Sequence, residues 1–132
     1  MNSKDKKFSG GCLCGHIRYE AVAEPVFPHL CSCAMCQKWS GAPTLAWLEF
    51  PQAAFQWTGP GGSPRLFQSS KKSQRGNCPE CGSAICAIDE GYENISIVIG
   101  SLDEPDLVVP DVQHSFEKSK PAWWRPAVKS PQ

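Results

Sequence analysis

Cys78-Pro79-Glu80-Cys81-Gly82-Ser83 is the stretch on which the fold turns. A C-x-x-C followed by glycine offers two thiolates from one tight turn, and a tetrahedral zinc shell needs two more. Cys12-Leu13-Cys14-Gly15, far upstream, supplies them. Closing that set clips the start of the chain to its second half, as structural zinc does. Glycine after each pair lets the backbone turn amide N–H groups toward the thiolates and offset their charge. Between the pairs lies Cys31-Ser32-Cys33-Ala34-Met35-Cys36, which supplies three thiolates, one short of a closed shell. Structural zinc is normally ligated fully by protein, whereas catalytic zinc keeps a position open. Four plus three therefore predicts two unlike metal sites. Cys86 is the spare cysteine and the first candidate for a fourth ligand to the central set, followed by His29, His16 and His114.

Composition narrows the field around these clusters. The 132 residues fit one domain. Of these, 41% are apolar and 20% charged, so the body is not compositionally disordered. Formal net charge is zero, which gives no field for nucleic acid or a membrane surface. No stretch approaches the ~18 apolar residues of a membrane helix. Met1 to Phe8 is charged and lacks the apolar run of a secretory leader. The expectation is a cytoplasmic protein, where thiols stay reduced and clustered cysteines serve metals or catalysis. The competing reading is a secreted disulfide scaffold, disfavoured by that compartment and by the strain of a disulfide within C-x-C.

Twelve prolines and eleven glycines predict many turns and short strands. His16 to Ala23 alternates, with Ile17, Tyr19 and Ala21 on one face. Thr44 to Phe50 sets Leu45, Trp47 and Glu49 on one side and Ala46, Leu48 and Phe50 on the other. Ala54 to Thr58 and Arg65 to Ser69 read as a hairpin around the Thr58–Pro64 loop, and Ser83 to Ile88 with Asn94 to Ile99 as another. Leu107 to Val109 and Val112 to Phe116 are candidate edge strands, and Ala34 to Trp39 a short helical turn. Residues 1–9 and 126–132 read as loose tails around a single zinc-binding domain of residues 10–125.

Gly10-Gly11-Cys12-Leu13-Cys14-Gly15, Cys31 to Lys38, Gly41-Ala42-Pro43, Cys78 to Ser83, Gly100-Ser101-Leu102-Asp103 and His114 to Lys120 with Trp123 together resemble the glutathione-dependent formaldehyde-activating enzyme family. The resemblance runs from about Gly10 to Trp123. It implies an all-β, zinc-stapled domain of several short curled antiparallel sheets, similar to the Mss4-like fold. It implies two zinc ions per chain: a structural one on Cys12, Cys14, Cys78 and Cys81, and a catalytic one on Cys31, Cys33 and Cys36. His114, inside the family motif, is the candidate for a substrate or neighbouring contact. The implied activity is that of a carbon–sulfur lyase, similar to S-(hydroxymethyl)glutathione synthase, acting on a small thiol and formaldehyde or another small electrophile. Asn77 stands where family members usually carry an aromatic, Ser32 where some carry histidine, and Cys86 lies outside the pattern.

The chemistry of the central set agrees with that implication. Three thiolates on a divalent zinc leave a net charge of −1, which suits exchange of a soft fourth ligand such as a substrate thiolate. Lys71, Lys72 and Arg75 read as a basic loop, either solvated or touching the carboxylates of a glutathione-like substrate. Trp47 and Trp123 are candidate pocket walls, and the other tryptophans core or rim. The alternative from another class is a non-catalytic zinc module for protein interaction, as in the related centromere protein V domain. A protein ligand in the fourth position of the central site favours that module.

Overall fold

The computed structural model describes residues 6–128. β1 (Lys7–Gly11), β2 (Arg18–Val22) and β5 (Phe55–Trp57) form an antiparallel sheet in the order β1-β2-β5. β3 (Val26–Cys31), β4 (Leu45–Pro51), β6 (Arg65–Gln68), β7 (Ser73–Asn77), β8 (Ala84–Asp89), β9 (Asn94–Val98) and β10 (His114–Ser115) form the second, in the order β10-β3-β4-β9-β8-β7-β6. Every pairing is antiparallel except β10 on β3, which is parallel. The all-β expectation holds with one mixed edge. α1 (Ala34–Ser40) is the single α-helix among the described residues and lies where the helical turn was expected.

The period-2 pattern of β4 organises the molecule. Leu48 and Phe50 face the main core, where Ile95 and Ile97 of β9 meet Phe8, Ile17, Tyr19 and Ala21 from the smaller sheet. Phe8 sits 5.4 Å from Phe50, centroid to centroid, and Tyr19 stacks at 5.3 Å on Phe55. Leu45 and Trp47 face the other way and pack with Trp39 and Cys36 of α1. The large sheet thus has one face buried on the small sheet and the other covered at one end by α1.

The Gly-Ser-Leu-Asp motif locks the two sheets together. Leu102 bridges to Gly10, and Ser101 shares a 2.6 Å hydrogen bond with the Tyr19 hydroxyl. Asp103 accepts from both terminal nitrogens of Arg18, at 2.9 and 2.6 Å, and from Ser9 at 2.9 Å.

Several expectations are corrected. β5 and β6 do not pair: Trp57 pairs with Tyr19 and Arg65 with Asn77, so the Thr58–Pro64 loop crosses between sheets. Aromatic contacts of Phe55 and Trp57 with Tyr19 select that partner, which alternation alone could not specify. The supposed basic loop is partly strand β7, whose polar run Ser-Gln-Arg-Gly-Asn is held by β6 and β8 on either side. β3 contains Pro28, accommodated by a register shift between Val26 and His29 with Phe27 at φ 49°. Leu107 to Val109 is not a strand; Pro105–Leu107 is a 3-10 turn. Residues 7–9, expected to be tail, belong to β1. The remainder of the expected tails lies at residue 6 and residues 126–128, without regular structure, and otherwise outside the described residues.

Candidate metal centres and the cavity beside them

Cys12 and Cys14 sit on the turn between β1 and β2, and Cys78 and Cys81 on the turn between β7 and β8. Their four Sγ atoms lie within 4.8 Å of one another. The Cys12–Cys14 and Cys14–Cys78 separations are 3.6 and 3.8 Å. A tetrahedral zinc with 2.3 Å bonds to sulfur has an S–S edge of about 3.8 Å, so the spacing fits. Amides surround the sulfurs as the glycines suggested. Ile17 N–H donates to Cys12 Sγ at 3.2 Å, and Glu80 and Cys81 N–H donate to Cys78 Sγ at 3.3 and 3.4 Å. Gly15 and Gly82 take φ of 84° and 80°, the left-handed turn that a side chain would strain. Leu13 N–H donates to Ser83 Oγ at 3.0 Å, joining the two turns directly. The Ser83 hydroxyl, first among several hydrogen-bonding contacts, holds the Cys81 thiol down to about 5.

The second group, Cys31, Cys33 and Cys36, also has its Sγ atoms within 4.8 Å. Cys31 ends β3, Cys33 caps α1, and Cys36 lies in the helix's first turn. Cys36 N–H donates to Cys33 Sγ at 3.2 Å, and Cys31 and Cys36 are 3.5 Å apart. That contact with Cys31, aided by Cys33 and Arg75, holds the Cys36 thiol down to about 5 against the opposing effect of burial. Among the described residues no histidine, carboxylate or further cysteine joins these three. Cys86 is fully buried in the main core, and burial pushes its thiol up to about 12. Both groups can hold a metal ion.

His114 is drawn to the centre indirectly. Ser32, between two of the cysteines, meets His114 Nε2 at 2.7 Å and Thr44 Oγ1 at 2.8 Å. Trp124 Nε1–H donates to Thr44 at 2.7 Å. An indole only donates, so Thr44 accepts from Trp124, and the chain of contacts runs from Trp124 through Thr44 and Ser32 to His114 Nε2. Burial lowers the His114 pKa, which favours the neutral ring. His114 does not line the cavity beside the three cysteines, and neither does Trp123, which is largely exposed.

That cavity encloses about 460 Å³ on the α1 side of the large sheet. Its floor follows one row across the strands: Arg75 opposite Ala87, Ala87 opposite Ser96, Ser96 opposite Glu49. The small side chains in the middle leave the space. Arg75 and Glu49 stand three strand spacings apart, roughly 14 Å. Trp47 walls it as expected, with Phe27, His29, Met35 and Phe116 around the opening. Glu49 is buried, accepting from the Tyr92 hydroxyl and from Asn94 Nδ2 at 3.1 Å. His29 donates from Nδ1 to the Phe27 carbonyl at 2.7 Å, the tautomer in which Nε2 of the neutral ring is the acceptor. Lys71 and Lys72 line a separate hollow with Gln68, Gln74, Ile88 and Glu90, so the basic trio does not act as one patch. Sequence reasoning missed the buried role of Arg75 and the place of His29. A carboxylate inside the apolar run Leu45–Phe50 was the available signal for Glu49.

Fold and sites together describe a mostly-β protein with two cysteine centres, one closed and one facing a cavity. The Glutathione-dependent formaldehyde-activating enzyme family matches residues 7–119, and the chain belongs to that family. No curated protein matches. The structure is similar to the crystal structure of a Rhodobacter sphaeroides protein, with a TM-score of 0.58 and 18% identity, covering 81% of this chain and 99% of that one. At that identity the likeness shows the fold alone. Among the described residues no helix is long and apolar enough to cross a membrane.

Proposed function

We propose that the protein is a zinc-dependent carbon–sulfur lyase-type enzyme that joins or cleaves adducts of a small thiol, glutathione or a relative, with formaldehyde or another small electrophile. In this reading two zinc ions bind per chain in a reducing, cytoplasmic setting. Cys12, Cys14, Cys78 and Cys81 hold the structural one, and Cys31, Cys33 and Cys36 the reactive one. The observation that carries it is the three-cysteine group with no fourth protein ligand among the described residues, opening on the 460 Å³ cavity. When bound there, zinc supplies Lewis acidity and an exchangeable position suited to sulfur or a carbonyl oxygen.

The chain's own residues do the rest. His29 Nε2 takes the proton of the incoming thiol and returns one to the electrophile's oxygen. The Phe27 carbonyl fixes its tautomer, as an imidazole base requires. Trp47, Phe27 and Phe116 give the adduct an apolar wall. His114 acts as a positioning residue, fixing Ser32 between the ligands Cys31 and Cys33.

The test is exchange between ¹³C-formaldehyde and its glutathione adduct, followed by NMR with and without the zinc-loaded protein. Catalysed exchange that disappears in Cys33→Ser supports the reading. Exchange at the uncatalysed rate for glutathione and for a panel of small thiols refutes it.

A further inference from the structure

We propose that Arg75 is the built-in counter-charge of the Cys31/Cys33/Cys36 centre, and that it lets this centre accept an anionic thiol as its fourth ligand. The inference rests on the reading above and assigns a residue to it.

The first observation is burial without a carboxylate. Arg75 is 9% exposed, and among the described residues it forms no ion pair with an acid. Glu49 and Asp89 line the same cavity, but neither pairs with it within 4.0 Å. A guanidinium carries a fixed positive charge, and a buried charge is costly unless an opposite one faces it. The second observation is where the side chain goes. Both terminal nitrogens lie 3.6 Å from Cys36 Sγ, a two-pronged approach to one sulfur. The guanidinium carbon is 5.0 Å from the Trp39 ring and 5.7 Å from the Trp47 ring, whose planes are 7° apart. These rings pack against the fork and favour its positive charge. The third observation is Arg75 Nε, buried with no acceptor among the described residues. A side chain that leaves one donor unpaired to keep two on a sulfur is placed for that sulfur's charge.

The charge count gives the consequence. Three thiolates and a divalent ion sum to −1, and a fourth, exogenous thiolate brings −2. Arg75 returns one positive charge at hydrogen-bond range, which makes the resting centre neutral and the thiol-bound one −1. The closed Cys12/Cys14/Cys78/Cys81 group is met by backbone amides and the Ser83 hydroxyl, and among the described residues no arginine hydrogen-bonds to its sulfurs. The difference matches the two roles: the closed group never takes on a further anion.

The test uses Co(II)-substituted protein, whose sulfur-to-metal charge-transfer bands report each thiolate bound. Wild type and variants are titrated with 2-mercaptoethanol at fixed pH. Wild type is expected to gain one thiolate's worth of intensity. Arg75→Met, which keeps an unbranched apolar stem but removes the charged fork, is expected to bind the thiol about a hundredfold more weakly. It should also surrender the three-cysteine metal faster to a chelator, while the four-cysteine metal stays. Arg75→Lys restores charge without the fork and is expected to recover at least part of the affinity. Arg75→Gln serves as the neutral variant where Arg75→Met does not fold. A folded neutral variant with wild-type thiol affinity and metal retention overturns the role of Arg75. Wild-type protein that takes up no thiol at all refutes the open centre itself, so the two failures are distinguishable.

Discussion

Replacing Gly76 by alanine, alone and with Cys86→Ala, asks whether the eighth cysteine is packing or ligand. A Cβ built on Gly76 comes 2.6 Å from Cys86 Sγ and 2.9 Å from Pro64 Cγ, both too close. Overpacking of this kind costs about 1–3 kcal/mol. Cys86→Ala alone removes one methylene-sized group from a fully buried site, about 0.8 kcal/mol in transfer. A void of roughly 25 Å³ adds about 0.6 kcal/mol at ~24 cal/mol per Å³. In the double variant the new methyl enters the space the sulfur leaves, so the larger clash and most of the void vanish together. The contacts with Pro64 Cγ at 2.9 Å and Leu66 Cδ2 at 3.3 Å remain. The double variant should therefore be more stable than the sum of the single effects by about 1 kcal/mol or more. Urea unfolding of the metal-loaded proteins, with equal m-values, measures the cycle. Metal analysis on the same samples should find every variant as loaded as wild type. Additivity within about 0.3–0.5 kcal/mol refutes the packing argument. Loss of one metal from Cys86→Ala does more damage: it makes Cys86 a ligand and removes the open position.

Five further outcomes are expected. Elemental analysis should find two zinc ions per chain, with the three-cysteine metal released first by a chelator; one metal, or simultaneous release, contradicts two unlike sites. Cys12→Ser or Cys78→Ser should fail to fold, because the apparent binding energy of structural zinc, on the order of 10 kcal/mol or more, rivals a domain's whole stability. Cys33→Ser should keep its circular dichroism and melting transition while losing the second metal and the proposed exchange activity. His29→Gln should lower that activity roughly hundredfold with both metals retained, and an unchanged rate removes His29 as the base. The paired nitrogens of Arg18 hold the Asp103 carboxyl below the usual carboxylate range. That stabilisation is fully present above the unfolded value of about 4 and is lost as pH falls through the lowered folded value. Arg18→Met should flatten this acid-side part of the urea-midpoint profile, and parallel profiles would show that the pair is idle.

How much of this was legible in the sequence depended on where the information resides. β4 could be read outright, because its alternation is enforced by two different environments. Leu48 and Phe50 meet the small sheet while Leu45 and Trp47 meet α1, so each side chain is tied to a face. β8 and β9 were legible as a pair for the same reason, joined by a short Gly91-containing turn. β7 was not. Its stability comes from ladder bonds to β6 and β8 and from Arg75 reaching across to α1, none of which leaves an apolar period. β3 was hidden by Pro28, which lies within the register shift between Val26 and His29. The partner of β5 was decided by ring contacts with Tyr19, information distributed over residues far apart in the chain.

For the site, the cysteine spacing foretold both groupings because thiolate clusters need local turns, and local turns leave local marks. The cavity has no such mark. It exists because Ala87 and Ser96, on neighbouring strands, are both small and lie in one row between Arg75 and Glu49. Ala87 and Ser96, which make the space, look ordinary in their own strands. Only the register of β7, β8, β9 and β4 aligns the four, and a shift of one residue in any of these strands would turn its member of the row to the opposite face. The metal-ligand set is thus written in short stretches of chain, while the space beside it is written in strand register. That division is why the sequence could name the cysteines but could not show that the group lacking a fourth ligand is the one facing open space.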